Sequence, residues 1–120
     1  MKILVVDDEP MTVTALAQKL KEKKYDVVVS PDGVEALKII ADEKIDLIIS
    51  DIMMPAISGF TLLTMLKHFY YSKIPLILMS GYDAENIMDK SQSLGAHTFI
   101  SKPIDYEELF KKIEEIVPAA

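Results

Sequence analysis

The 120-residue chain has no cysteine, no tryptophan and no arginine, and only four glycines. Without cysteine there is no disulfide framework, no thiolate metal centre and no cysteine nucleophile, and the redox compartment stays open. Without arginine the guanidinium forks that read DNA bases are missing. All 13 basic residues are lysine and the formal charge is −6, so the basic stripe that follows a phosphate backbone is missing too. Direct nucleic-acid binding is not expected. No apolar run approaches the roughly 18 residues of a membrane span, and the start at Met1-Lys2 runs straight into a short apolar stretch with no secretion-type leader. The expectation is a soluble, cytoplasmic protein that does not engage membranes.

Half the residues are apolar, and the length suits one domain over 1–120 with a core that needs no staples. Short Val/Ile/Leu runs alternate with helix-like segments. Ile3–Val6, Tyr25–Val29, Asp46–Ser50, Leu76–Met79 and Thr98–Ser101 read as strands buried on both faces. Asp8-Glu9-Pro10 opens the first helix, with acids in its positive first turn; Val13, Leu16, Ala17 and Leu20 fall on one face. Asp32 with Glu35, and Asp105 with Glu108, form variants of the capping box. The third helix carries Phe60, Leu63 and Leu66. A fourth is expected over Ala84–Ser93, stopped by Gly95. Strict strand–helix alternation gives parallel strands with right-handed crossovers and helices on both faces, a doubly wound three-layer α/β sandwich. The second strand ends without a reactive group and suits an edge, which fits the order 2-1-3-4-5.

The other four strands end in chemistry. Asp7 and Asp8, Asp51, Ser80 and Lys102 each follow an apolar run, and parallel sheets bind ligands at the carboxyl ends of their strands. Alone, each residue has an ordinary reading: dipole compensation, a turn, a surface lysine. Their coincidence at one edge defeats that reading. Neighbouring strand ends lie about 4.8 Å apart, so the three carboxylates can share one ion. Hard oxygen ligands with room for water suit Mg²⁺. Metal, ammonium and hydroxyl together clamp a phosphoryl group, and Asp51, between the metal ligands and the phosphate donors, is placed to act as nucleophile. Phe99 reads as core, and Met53, Met54, Met65 and Met79 as core filler. His68 and His97 have no partner at ligand spacing. Phe69-Tyr70-Tyr71 could be a partner patch, but burial of at least one ring is expected.

The pattern Ile3-Leu-Val-Val-Asp-Asp-Glu-Pro10, Asp51-Ile-Met-Met-Pro55 with Gly59, Ser80-Gly81 and Phe99-Ile-Ser-Lys-Pro103 resembles the receiver domain of two-component response regulators, over the whole chain. The resemblance implies a (βα)5 flavodoxin-like fold with a parallel five-stranded sheet in the order 2-1-3-4-5. It implies that Asp51 accepts a phosphoryl group from a sensor histidine kinase or histidine phosphotransfer protein. Asp8 would hold Mg²⁺ directly and Asp7 mostly through water, with Asp51 and the Met53 backbone carbonyl as further ligands. Lys102 would pair with the phosphoryl oxygens and Ser80 hydrogen-bond one of them. The Lys102–Pro103 peptide would be cis. Phe99 stands at the aromatic switch position: as Ser80 moves, the ring turns inward and the face of the fourth helix, fifth strand and fifth helix changes for a downstream protein effector.

The chain departs from the family in three places. Serine replaces a frequent threonine at 80 and keeps the hydroxyl. Phe99 replaces a frequent tyrosine, leaving switching to packing. Ala96-His97-Thr98 stands where winged-helix regulators that dimerise through this face carry acids, and no arginine is present to pair with them. A monomer is expected before phosphorylation. Three other readings compete. One is a degenerate receiver that binds partners without phosphorylation; the five site residues argue against it. Another is a dehalogenase-type phosphatase, which needs an acid two residues after its nucleophile, where this chain has Met53. Turnover of external substrates is therefore not expected. A flavodoxin-like FMN carrier would want a Ser/Thr-rich phosphate loop where Asp7-Asp8 repel phosphate.

Overall fold

In the computed structural model, residues 1–81, 89, 90 and 93–116 are described. The apolar runs form five strands: β1 (Lys2–Val6), β2 (Asp26–Ser30), β3 (Leu47–Asp51), β4 (Leu76–Ser80) and β5 (Thr98–Ser101). They pair in parallel in the order β2-β1-β3-β4-β5, as the sequence implied. Four helices are described, α1 (Pro10–Glu22), α2 (Gly33–Asp42), α3 (Gly59–His68) and α4 (Tyr106–Ile116). The last is the fifth helix of the sequence reading. The expected helix at Ala84–Ser93 lies largely outside the described residues, of which Asp89, Lys90 and Ser93 are helical. Gly95 has φ +95°, the left-handed stop expected there.

Alternation along each strand divides the core in two. Leu4, Val6, Ile48, Leu76, Leu78 and Phe99 face a layer built from Ala36 of α2 and Leu62, Leu63 and Leu66 of α3. Ile3, Val5, Leu47, Ile49, Ile77, Met79 and Ile100 face Leu16 and Leu20 of α1 and Leu109 and Ile113 of α4. Strands apolar at every position thus bury both faces, and the central strands β3 and β4 are buried throughout. On the edge strand β2, Val29 is left exposed.

Helix starts are set by local chemistry. The Asp32 carboxylate accepts from the Glu35 N–H at 2.8 Å, and Asp105 accepts from the Glu108 N–H at 3.2 Å, as the capping patterns required. Ser58 caps α3 through the Thr61 N–H at 3.1 Å. α1 differs from expectation: its first turn holds no acid, because Pro10 is the first helical residue and Glu9 is an extended N-cap without a side-chain cap bond. Asp7 and Asp8 therefore lie before the helix, available to the strand-end site.

Two packing expectations are corrected. Met53 is not core filler: it is 60% exposed in the loop after β3, whereas Met79 is fully buried. No ring of Phe69-Tyr70-Tyr71 is buried; they are 73%, 58% and 81% exposed. Periodicity from Leu62, Leu63 and Leu66 would carry position 69 or 70 back to the core, but α3 ends at His68. Beyond it the chain turns through Tyr71 at φ +50°, and the rings splay away from the apolar stripe.

The cap geometry predicts that Asp32→Ala removes one helix-terminal hydrogen bond and costs about 1 kcal/mol. Thermal unfolding should show a fall of about 4 °C in Tm, with the fold otherwise retained.

Candidate functional site

Register places the site. Val6 lies opposite Ser50 across β1 and β3, and Asp51 lies opposite Met79 across β3 and β4. One residue beyond Val6 the chain presents Asp7, beside Asp51. Ser80 ends β4 opposite Ser101, so Lys102 follows at the same level. The five residues singled out in the sequence gather at one edge.

Their spacing is that of a single ion site. Carboxylate oxygens of Asp7, Asp8 and Asp51 all lie within 4.8 Å of one another. Asp7 and Asp51 are buried, at 2% and 7% exposure, while Asp8 is exposed. A cleft of about 340 Å³ opens over them, lined by Asp8, Asp51, Met53, Ser80, Gly81 and Lys102. Glu9 also borders it, a residue the sequence reading used only as a helix-start acid. Its N–H donates to Asp7 Oδ1 at 3.0 Å, which fixes the Asp7 carboxylate.

Lys102 is more central than the sequence implied. Its ammonium donates to Asp7 Oδ2 at 2.9 Å and lies 3.4 Å from Asp51 Oδ1, bridging two carboxylates rather than standing across the pocket. Burial works against the charged lysine, but the hydrogen bond to Asp7 and the charge of Asp51 outweigh it and hold its pKa above the ordinary lysine value. For Asp51 the balance runs the other way. Burial, reinforced by the charge of Asp7, pushes its carboxyl above the usual value; Lys102 and the Ile52 N–H oppose this without cancelling it. That N–H donates to Asp51 Oδ1 at 3.0 Å. The Lys102–Pro103 peptide is cis.

Gly59 supports Asp51 from behind. Its N–H donates to the Ile52 carbonyl at 2.8 Å, and a Cβ built there would collide with the Asp51 backbone carbonyl. The α3 start can approach the end of β3 this closely only with glycine. The residue was visible in the sequence as part of a motif; its packing role was not. Phe99 is 5% exposed and packed in the core with Leu78 and Leu63. Its burial agrees with the core reading of the sequence.

The donor set fits Mg²⁺. Three carboxylates supply only oxygen, two are desolvated and mutually repelling, and the open cleft leaves space for the waters that this cation retains.

Comparisons with known proteins agree with the geometry. The family model described as the response regulator receiver domain matches residues 3–114. The heme response regulator HssR of Staphylococcus aureus is 32% identical over 114 residues, which is 95% of this chain and 50% of that protein. The chain therefore spans about half the length of the curated relatives it matches. Among solved structures, response regulator TrrA of Thermotoga maritima, in complex with Mg²⁺ and BeF, matches at TM-score 0.85 and 31% identity, covering 97% of this chain and 98% of that one. The chemotaxis protein CheY4 of Vibrio cholerae matches at TM-score 0.89 and 26% identity, over 97% and 98% of the two chains.

Because ionised Asp51 is penalised by burial and by Asp7, Asp51→Asn should raise Tm by a few degrees in metal-free buffer at pH 7. The sign follows from the raised carboxyl pKa: its favourable contribution is present below the unfolded-state pKa and is lost as pH rises through the folded one. At neutral pH the wild type carries the full penalty, and in acid the difference between the two proteins should vanish. Melting curves in EDTA across pH check this.

Proposed function

The chain belongs to the response regulator receiver domain family, and from that premise we propose that it is a phosphorylation-operated signalling switch with Asp51 as acceptor. The observation that carries the reading is the Asp51 carboxylate beside Asp7, with the Lys102 ammonium bridging the two and lying 3.4 Å from Asp51 Oδ1, in an open cleft. A carboxylate so placed can attack phosphorus in line. The P–N bond of a phosphohistidine donor breaks as the P–O bond to Asp51 forms, and the imidazole leaves and takes up a proton.

Mg²⁺ would be held by Asp7, Asp8, Asp51 and the Met53 carbonyl, and when bound it neutralises charge on the phosphoryl oxygens. Lys102 supplies the second positive contact, exchanging its bond to Asp7 for one to the acyl phosphate. Ser80, almost fully buried beside Gly81, offers its hydroxyl to another phosphoryl oxygen. Through Ser80 and Phe99, the surface of β5, α4 and the segment before β5 becomes the output face for a protein effector. The site lacks an acid two residues beyond Asp51, where Met53 stands, so it is modified rather than turning over external substrates. The reading includes a cytoplasmic location and a monomer before phosphorylation; among the described residues no helix is long and apolar enough to cross a membrane.

The donor, a sensor histidine kinase or histidine phosphotransfer protein, needs an apolar seat beside the cleft. A groove of about 550 Å³ runs along α1 past Met11, Thr12 and Ala15 to Lys102, Ile104 and Tyr106, and Met11 is 82% exposed within it. One observation favours a second reading, a binding module that works without phosphorylation: Phe99 is buried as core, at 5% exposure.

With acetyl phosphate and Mg²⁺, wild type should become labelled on Asp51 and Asp51→Asn should not; EDTA should abolish labelling. Equal labelling of Asp51→Asn would falsify the acceptor assignment, and no labelling of wild type favours the second reading. Lys102→Ala should still bind Mg²⁺ yet leave effector binding unchanged on addition of beryllofluoride.

The groove yields a separate test. Met11→Glu should slow transfer from a protein donor about tenfold while leaving labelling by acetyl phosphate unaltered. Equal slowing with both donors would place Met11 in the chemistry rather than in docking.

A further inference from the structure

Residues 52–82 contain no Asp or Glu, in a chain that carries 19. Within that stretch, Lys67, His68, Phe69, Tyr70, Tyr71 and Lys73 form one continuous segment at the end of α3. The three rings are 73%, 58% and 81% exposed, and among the described residues none of the three basic side chains forms an ion pair. Lone exposed apolar residues are ordinary, but three adjacent aromatic side chains are a contiguous patch.

The patch is also held in shape. The Tyr70 N–H donates to the Met65 carbonyl at 3.2 Å and the Ser72 N–H to the Leu66 carbonyl at 2.8 Å. Ser72 Oγ accepts from the Ile74 N–H at 3.1 Å. Between these anchors Tyr71 holds φ +50°, an uncommon conformation for a bulky side chain. The rings are thus presented at low entropic cost, which is what an aromatic contact surface requires.

We propose that this segment is a constitutive docking surface for an acidic segment of a partner protein. Charge complementarity selects that occupant. Lysines that form no ion pair among the described residues, beside exposed rings on a molecule of charge −6, attract carboxylates, while the rings seat apolar anchors between them. A second copy of this chain brings a net-acidic surface but the same basic patch, so an isologous contact sets lysines against lysines. The segment lies away from the phosphoryl site: Gly59 touches the end of β3, and the ten residues of α3 that begin with it carry the chain about 15 Å to Phe69 at 1.5 Å per residue. Docking here leaves the cleft free and does not depend on Asp51.

The test selects a random displayed peptide library on the folded chain and measures enriched peptides by fluorescence anisotropy. Acidic peptides with aromatic or aliphatic anchors should be enriched. Both Phe69→Ala/Tyr71→Ala and Lys67→Glu/Lys73→Glu should weaken their binding about tenfold, and Mg²⁺ with beryllofluoride should not change it. No acidic enrichment, or affinity indifferent to both variants, overturns the proposal. So does binding to phosphatidylserine vesicles without peptide binding, which assigns the patch to a membrane surface. A concentration-dependent dimer abolished by the same variants assigns it to a second copy and likewise overturns the proposal.

Discussion

Three carboxylates forced to one edge of a parallel sheet are the constraint on which this structure depends. Register sets Val6 opposite Ser50, so Asp7 and Asp51 emerge side by side and Asp8 joins them within 4.8 Å. Such crowding costs stability unless positive charge enters. The Lys102 ammonium supplies part of it, 2.9 Å from Asp7 and 3.4 Å from Asp51. The compensation is incomplete, since the Asp51 carboxyl is still pushed above its ordinary value. The site is therefore built with a deficit of positive charge. A divalent cation fits that deficit, and a lysine relieved of Asp7 is free to meet a phosphoryl group.

The fold was legible because every level of the sequence agrees. Strands apolar at consecutive positions bury both faces, capping acids at 32 and 105 start their helices, and the bare end of the second strand fits an edge of the order that the family resemblance implied. The site was legible for the same reason: strand ends are fixed by the topology, so Asp7, Asp51, Ser80 and Lys102 converge without any knowledge of side-chain contacts. What sequence could not supply was distance and orientation. Lys102 could be assigned to the pocket, but not to the bridge between Asp7 and Asp51. Phe99 could be assigned to core or switch, but not to a degree of burial, which is 5% exposure.

The misread segments share a physical cause. Met53 and the rings at 69–71 stand just beyond regular elements, where hydrophobicity alone does not reveal direction. Helical periodicity extrapolated from Leu66 is meaningless once α3 stops at His68. Loop residues follow the backbone turn, and Tyr71 at φ +50° shows that turn departing from anything a period predicts. Exposed apolar residues in such places carry more functional information than the buried ones, because nothing in the core requires them.

The same logic bears on how an event at Asp51 can reach the outer surface. Ser80 and Lys102 stand at the ends of neighbouring strands, and the Lys102 N–H donates to the Ser80 carbonyl at 2.9 Å, which couples their backbones. Phe99 lies three residues before Lys102 on the same strand segment, and its carbonyl accepts from the Lys112 ammonium of α4 at 3.0 Å. Lys112 is itself oriented by Glu108 one turn earlier, at 2.9 Å. These bonds join the backbone of β5 to α4. Packed elements joined by such bonds shift as units rather than deform continuously.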